Sequence, residues 1–96
     1  MDIRYGPFSW VEKKEAENIL KHDIDFETAS LVFLDPQRRT FRDLKHSTAE
    51  ERMFCIGRVG GKIMTVRYTR REGFIRIIGA GYWRQGRRYY DEETPA

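Results

Sequence analysis

The chain has 96 residues, of which 40% are hydrophobic and 34% charged, and its formal net charge is +3. This length and composition predict a single globular domain over residues 1–96, and no apolar run approaches the roughly 20 residues of a membrane helix. The one cysteine, Cys55, excludes an internal disulfide and fits a small buried hydrophobe within a strand. Because the N-terminus lacks the apolar segment of a signal peptide, we expect a cytoplasmic protein.

Positive charge is concentrated in the second half of the chain. Residues 1–51 have a net charge of −3, residues 52–90 contain 10 Lys/Arg against a single acid, and residues 91–96 contain three acids. A basic half of this kind is typical of a protein that binds a polyanion such as nucleic acid. A solvated basic face, or a face that binds an acidic protein, is the alternative interpretation.

The N-terminal third predicts an extended segment followed by two helices. Residues 3–10 are rich in apolar and aromatic side chains, with a Gly-Pro break in the middle. A helix over residues 11–22 has a narrow apolar stripe, and a second helix is predicted over residues 26–34. Asp25 can cap the second helix, and the proline that follows residue 35 ends it.

The next segment, residues 37–51, is polar and mostly without periodicity. A short strand is predicted over residues 39–42, and residues 43–51 are predicted to form a loop. Loops of this length in a compact domain are more often functional or mobile than simple connections.

Residues 52–83 contain three apolar runs that are separated by glycine-containing turns. Their alternation and their β-branched and aromatic residues predict a three-stranded antiparallel meander that carries arginines on one face. Gly60-Gly61 suits a two-residue hairpin, and residues 70–73 suit a longer one.

Several glycines interrupt the chain after the meander, so residues 83–90 are predicted to form only a short helix or turn. Residues 91–96 are predicted to be a frayed tail. The predicted fold class is therefore α+β, with two N-terminal helices packed on an antiparallel sheet.

The sequence predicts neither a metal site nor a nucleotide cofactor. Its two histidines, His22 and His46, are far apart, there is no pair of cysteines, and no phosphate-binding glycine motif occurs. Arginines, histidines, lysines and tyrosines remain, and these are enough for metal-free RNA cleavage. That reaction needs a base for the 2′-hydroxyl, cations for the developing phosphorane charge and an acid for the leaving group.

Each candidate residue also has a structural interpretation. Arg76 lies among isoleucines on a predicted strand, where it projects from a rigid support or is an ordinary exposed arginine. His22 could cap its helix, and His46 could be solvated in its loop. Arg52 could pair with the preceding glutamate, and Trp83 could stack on a base or only pack.

These residues, in this order, resemble the BrnT family of ribonuclease toxins from toxin–antitoxin systems. The matching segments, in chain order, are FSW at 8–10, NILKH at 18–22, DFETA at 25–29, VF at 32–33, DP at 35–36, Asp43 with His46, ER at 51–52, IG at 56–57, Thr69 with Arg71, and RII at 76–78. Each segment is short, but their shared order and spacing cover nearly the entire chain.

The resemblance implies a RelE-like fold, general RNA cleavage that arrests growth, and a hetero-oligomer with a BrnA-type antitoxin. Contact with DNA would be made only through that antitoxin, and neither a cofactor nor a membrane is implied. Together with the predicted basic sheet, the resemblance indicates a set of catalytic residues: Arg76, Arg52, His22, Lys21 and His46. The indicated RNA-binding residues are Arg67, Arg84, Arg88 and Trp83.

The chain departs from the family pattern in three places. After Arg-Ile-Ile, where the family commonly has Ser-Ala-Arg, it has Gly79-Ala80-Gly81, so one phosphate-binding arginine is absent. Near the C-terminus the acid of the family's E-R-x-x-Y motif is missing, although Arg88 remains. Asp23 replaces a glycine, which is tolerable because aspartate can adopt the left-handed conformation. The alternative function is a weakened or inactive homologue that binds the antitoxin or RNA.

Overall fold

The computed structural model describes residues 1–93, which form one six-stranded sheet and three α-helices. The strands are β1 (Asp2–Tyr5), β2 (Phe8–Val11), β3 (Arg39–Arg42), β4 (Arg52–Val59), β5 (Lys62–Arg71) and β6 (Phe74–Gly81). The helices are α1 (Glu12–His22), α2 (Phe26–Ser30) and α3 (Arg84–Glu93), and a 3₁₀ helix (Leu31–Leu34) continues α2. The fold is α+β, as predicted. None of the helices within the described residues is long and apolar enough to cross a bilayer.

The sheet is mixed, so the prediction of an antiparallel sheet is wrong for one pair of strands. Its order is β1-β2-β6-β5-β4-β3, and β2 runs parallel to β6 while all other neighbours are antiparallel. Short turns dictate the direction of strands that follow one another in the chain. By contrast, β2 and β6 are far apart in sequence, so no turn specifies the direction of their pairing.

The two hairpins of the predicted meander have similar tight turns. Gly60 and Gly61 have φ angles of +57° and +80°, which confirms the predicted two-residue turn. The second turn is also short, because Glu72 and Gly73 have φ angles of +52° and +81°. The longer turn predicted over residues 70–73 is therefore wrong, and its first two residues continue β5.

The helix boundaries follow local side-chain chemistry. Asp23 ends α1 in the left-handed conformation, with φ of +56°, and its amide donates to Ile19 O at 2.8 Å. Asp25 caps α2 by accepting from Thr28 N at 3.0 Å, as predicted. Burial alone would raise the pKa of Asp25, but its hydrogen bonds with Thr28 and with nearby backbone amides together lower it. The predicted helix over 26–34 is corrected at residue 31, where it tightens into the 3₁₀ helix.

The hydrophobic core lies between the N-terminal helices and one face of the sheet, which we call the core face. Its fully buried side chains include Ile24, Phe26, Val32, Cys55, Met64, Val66 and Ile77. Burial raises the pKa of the Cys55 thiol to about 12, so this cysteine is a core residue rather than a nucleophile.

The C-terminal helix α3 packs on the opposite face. Thr65 lies between the core residues Met64 and Val66 in β5, so it points away from the core. Gly86 approaches it so closely that an added Cβ would overlap Thr65 Oγ1. The helix is assigned as far as Glu93, so the predicted tail over residues 91–96 overlaps its end, and residues 94–96 lie outside the described part of the chain.

Candidate active site

A row of polar residues crosses the sheet on the face opposite the core. Strand register pairs Arg4 with Ser9, Ser9 with Arg76, Arg76 with Thr69, and Thr69 with Arg52. Directly paired residues project on the same side, so arginines alternate with small hydroxyl residues across five strands. Strands lie about 4.8 Å apart, which separates the backbones of successive arginines by about 10 Å. We call this feature the arginine row.

Its orientation follows from the neighbours of each residue along its own strand. Ser9 lies between Phe8 and Trp10, and Arg76 lies between Ile75 and Ile77. These four apolar residues belong to the core or pack against it. Because side chains alternate along a strand, the row must point to the other face.

Arg76 is the most firmly held member of the arginine row. Its side chain is only 13% exposed, and its guanidinium donates to both carboxylate oxygens of Asp2, at 3.0 and 3.3 Å. The hydrogen bond from Arg76 lowers the pKa of Asp2. A planar guanidinium that donates two hydrogen bonds to a carboxylate also has the geometry to donate two parallel hydrogen bonds to a phosphate.

Arg52 lies at the β4 end of the arginine row, beside the loop that follows β3. It lines a cavity of about 260 Å³ together with His46, Glu50 and Arg71. Among the described residues, its Nε is a buried donor without an acceptor. Arg71 donates to both carboxylate oxygens of Glu50, at 3.0 and 3.1 Å. The cavity therefore places two arginines, Arg52 and Arg71, beside His46.

His46 is oriented by a buried carboxylate. Its Nδ1 lies 2.9 Å from Oδ2 of Asp43, which is 5% exposed, while the imidazole itself is about half exposed. Burial alone would raise the pKa of Asp43, but the hydrogen bonds and charge of His46 and the charge of Arg67 together lower it. An ionised Asp43 favours a proton on Nδ1 and leaves Nε2 for proton exchange with a ligand.

A comparison with protein families shows which family this chain belongs to. Residues 10–86 match the family described as the ribonuclease toxin, BrnT, of type II toxin–antitoxin systems. The chain belongs to this family. It is therefore a toxin of a type II toxin–antitoxin system, and membership implies an antitoxin partner. No curated protein matches the chain.

The structure of this BrnT-family toxin divides the sequence-predicted catalytic residues into two groups. Arg76, Arg52 and His46 lie at the end of the sheet where β4 and β6 begin. His22 and Lys21 end α1, where the His22 ring lies 5.4 Å from the Trp83 ring in an edge-on contact. Trp83 follows the other end of β6.

The separation of these two groups can be judged from β6 itself. Gly81 lies five positions after Arg76, which corresponds to at most about 17 Å of strand. Trp83 covers Gly81, since a Cβ added there would lie 2.7 Å from the indole ring. His22 and Lys21 are therefore remote from the arginine row.

The predicted RNA-binding residues lie on different elements of the fold. Arg67 pairs with Phe54 and Gly79 in the sheet, one position along β5 from the core residue Tyr68. Arg84 begins α3 after Trp83. Arg88 is largely exposed on α3, with its Nη2 3.9 Å from Glu92 Oε1.

Sequence reasoning did not assign functional roles to Asp43, Arg71, Arg4 and Ser9. The spacing of Asp43 and His46, three residues apart, was a usable signal for a hydrogen-bonded pair. The other three residues gave no such signal, because their proximity to Arg52 or Arg76 depends on strand register.

Proposed function

We propose that this toxin is an endoribonuclease that cleaves RNA without a metal, arrests growth in the cytoplasm and is neutralised by a BrnA-type antitoxin. The single observation that carries the proposal is the arginine row with the Asp43–His46 pair beside its Arg52 end. The RelE-like topology expected from the resemblance belongs to this proposal as well.

In the proposed reaction, neutral His46 accepts the proton of a 2′-hydroxyl through Nε2 while Asp43 holds its Nδ1–H. The 2′-oxygen bonds to phosphorus as the bond to the 5′-oxygen breaks, and the 5′-oxygen takes a proton from solvent. The products end in a 2′,3′-cyclic phosphate and a 5′-hydroxyl. Arg52 and Arg76 stabilise the charge that develops on the phosphorane oxygens.

The remaining candidates act on RNA binding in this scheme. Lys21, Arg67, Arg84 and Arg88 contribute positive charge along the RNA path. His22 holds the Trp83 ring in place rather than transferring a proton, because it lies at the far end of β6.

Replacement of the histidine provides the direct test of this function. We expect His46→Ala to lower the rate of cleavage of a labelled single-stranded RNA at saturating RNA by about 10²-fold or more. Asp43→Asn should cause a smaller loss, because it removes the orienting carboxylate and keeps the imidazole. Lys45→Ala, an exposed residue of the same loop, is the matched control and should retain the wild-type rate. A His46→Ala protein that cleaves at the wild-type rate would contradict the proposed base.

The pH dependence of the Asp43–His46 pair follows from the lowered pKa of Asp43. A carboxyl group with a lowered folded-state pKa contributes stability above its ordinary pKa, near 3.8, and this contribution is lost as the pH falls below it. The carboxylate therefore stays ionised between pH 8 and 5. Any loss of cleavage rate within that range must come from a group other than Asp43.

The second candidate function is an inactive homologue that binds the antitoxin or RNA, and Gly81 is the observation that favours it. If the missing arginine explains inactivity, restoring it should restore cleavage. Gly81→Arg alone forces Trp83 to move and should lower stability by about 1–3 kcal/mol, measured by thermal unfolding. The informative protein is therefore Gly81→Arg combined with Trp83→Ala.

We expect the wild type to cleave RNA already, so the combined variant should change its rate by less than about tenfold. An inactive wild type together with an active combined variant would instead support the second function. Trp83→Ala alone is the matched control for the loss of the indole.

A further inference from the structure

A second basic cavity lies at the other end of the sheet from the Asp43–His46 pair. It occupies about 510 Å³, and we call it the distal pocket. The residues that carry its chemistry are Arg58, Lys62, Tyr82, Trp83, Arg84 and Arg87. The family match gives this pocket no role.

The charge of the distal pocket is strongly positive. Four of its lining side chains are cationic, and Asp91 is the only acidic one among its described lining residues. Asp91 is engaged by Arg87, with 3.7 Å between Oδ2 and Nε. The pocket also contains the start of α3 at Arg84, where the first amides of a ten-residue helix have no intrahelical acceptor. Phosphate is the anion that such a site binds well.

The distal pocket also has exposed aromatic rings, which phosphate binding alone does not require. Tyr82 is 48% exposed and Trp83 is 37% exposed. Lys62 Nζ lies 5.1 Å from the centre of the Tyr82 ring, which fixes a cation against that ring. Trp83 is already in contact with His22 and covers Gly81, so Tyr82 is the ring better placed to receive a ligand.

We propose that the distal pocket is a subsite for single-stranded RNA, in which Tyr82 stacks on an unpaired base and Lys62, Arg58 and Arg84 bind the flanking phosphates. The pairing of cations with an exposed ring is the arrangement that recognises single strands, because a base in a duplex has no free face for stacking. This inference rests on the proposed function and specifies its substrate class.

The position of the subsite limits the length of the substrate. The strand distance of about 17 Å from Arg76 to the end of β6 separates the distal pocket from the arginine row. A dinucleoside monophosphate carries one phosphate and can occupy only one of the two sites. The substrate that uses both is a longer single strand.

The test measures binding of a fluorescent 2′-O-methyl RNA single strand of about 12 nucleotides, by anisotropy. This probe lacks the 2′-hydroxyl, so binding does not depend on catalysis. Lys62→Ala combined with Tyr82→Ala should weaken binding at least fivefold, roughly the effect of losing one stacked base. The slope of log K against log salt should fall by about 0.7, as expected for one lost phosphate contact.

The matched control is Lys14→Ala combined with Tyr5→Ala, which removes one exposed lysine and one partly exposed ring from another part of the surface. It should bind the probe within about twofold of the wild type, since neither residue lines the distal pocket. If the Tyr82 replacement does not fold, as judged by thermal unfolding, Lys62→Glu alone tests the salt slope.

The outcomes separate this inference from the proposed function. If the wild-type protein binds the probe through Tyr82 and Lys62 but cleaves no RNA, the proposed ribonuclease activity is contradicted and the RNA subsite is supported. Wild-type protein that cleaves RNA, with a pocket variant that binds the probe like the control, would overturn the subsite alone. Equal affinity for a duplex probe, or loss of antitoxin binding with RNA binding intact, would also overturn it.

Discussion

Arg76→Ala is expected to lower the rate of RNA cleavage at saturating RNA by about 10²- to 10³-fold, the effect of removing one preorganised donor from a transition state. The reason is the position of this side chain, which is 13% exposed and lies on β6 within the arginine row, where its guanidinium can exchange the carboxylate of Asp2 for a phosphate. The charge it would stabilise develops only as the phosphorane forms, so the loss should fall on kcat rather than KM. Arg76→Lys should recover only part of the rate, because the lysine ammonium cannot donate the two parallel hydrogen bonds that a planar guanidinium donates.

The partner of Arg76 supplies the control for this prediction. Asp2→Asn removes the charge that engages the guanidinium and leaves the arginine itself in place. If Arg76 binds phosphate, Asp2→Asn should retain cleavage, because RNA no longer has to displace a carboxylate. If Arg76 only attaches β1 to the rest of the sheet, the two variants should lose thermal stability and activity together. That second result would contradict the assignment of Arg76 to the reaction.

The parts of the fold that local chemistry determines could be predicted from the sequence. Asp25 caps α2, Asp23 takes the left-handed conformation, and Gly60-Gly61 forms the two-residue hairpin. Each of these features depends on a few neighbouring residues, and each is confirmed. The transition from α2 to a 3₁₀ helix was missed, because the apolar pattern of residues 26–34 fits either helix type.

The arginine row could not be predicted, because it depends on pairing between distant strands. Its assembly requires β2 to insert parallel to β6, so that Ser9 lies beside Arg76. It also depends on an irregularity in β6. Arg67 of β5 pairs with Gly79, but the next residue, Tyr68, pairs with Ile77, so Ile78 is an extra residue in β6. A shift of β6 by one residue would turn Arg76 to the core face. Periodicity along one strand contains no information about such a register.

The candidate site could be predicted only in part, because it also depends on the register between distant strands. The basic sheet and the family resemblance predict Arg76, Arg52 and His46 as site residues, whereas Asp43 enters the sequence analysis only within a segment that resembles the family. The segment at residues 18–22, which resembles the family, begins with Asn18, and the sequence analysis assigns this asparagine no role. The structure gives Asn18 a structural role that explains why an asparagine suits this position.

Asn18→Ala is expected to lower the free energy of unfolding by about 2–4 kcal/mol, because it leaves two buried backbone groups without partners. Asn18 Nδ2 donates to Ile24 O at 3.0 Å, and its Oδ1 accepts from Ala80 N at 3.0 Å. One side chain thus joins α1 to the connection before α2 and to the end of β6. Urea unfolding monitored by tryptophan fluorescence measures the change.

The neighbouring residue Glu17 is exposed on the same helix, so Glu17→Ala is the matched control and should change stability by less than about 0.5 kcal/mol. Asn18→Asp keeps the acceptor for Ala80 N but loses the donor to Ile24 O, so its loss of stability should exceed that of the control. Asn18 is not part of the arginine row, and cleavage per folded molecule should therefore be unchanged in Asn18→Ala at low temperature. An Asn18→Ala protein as stable as the Glu17→Ala control would mean that water satisfies Ile24 O and Ala80 N, and that Asn18 does not hold α1 to β6.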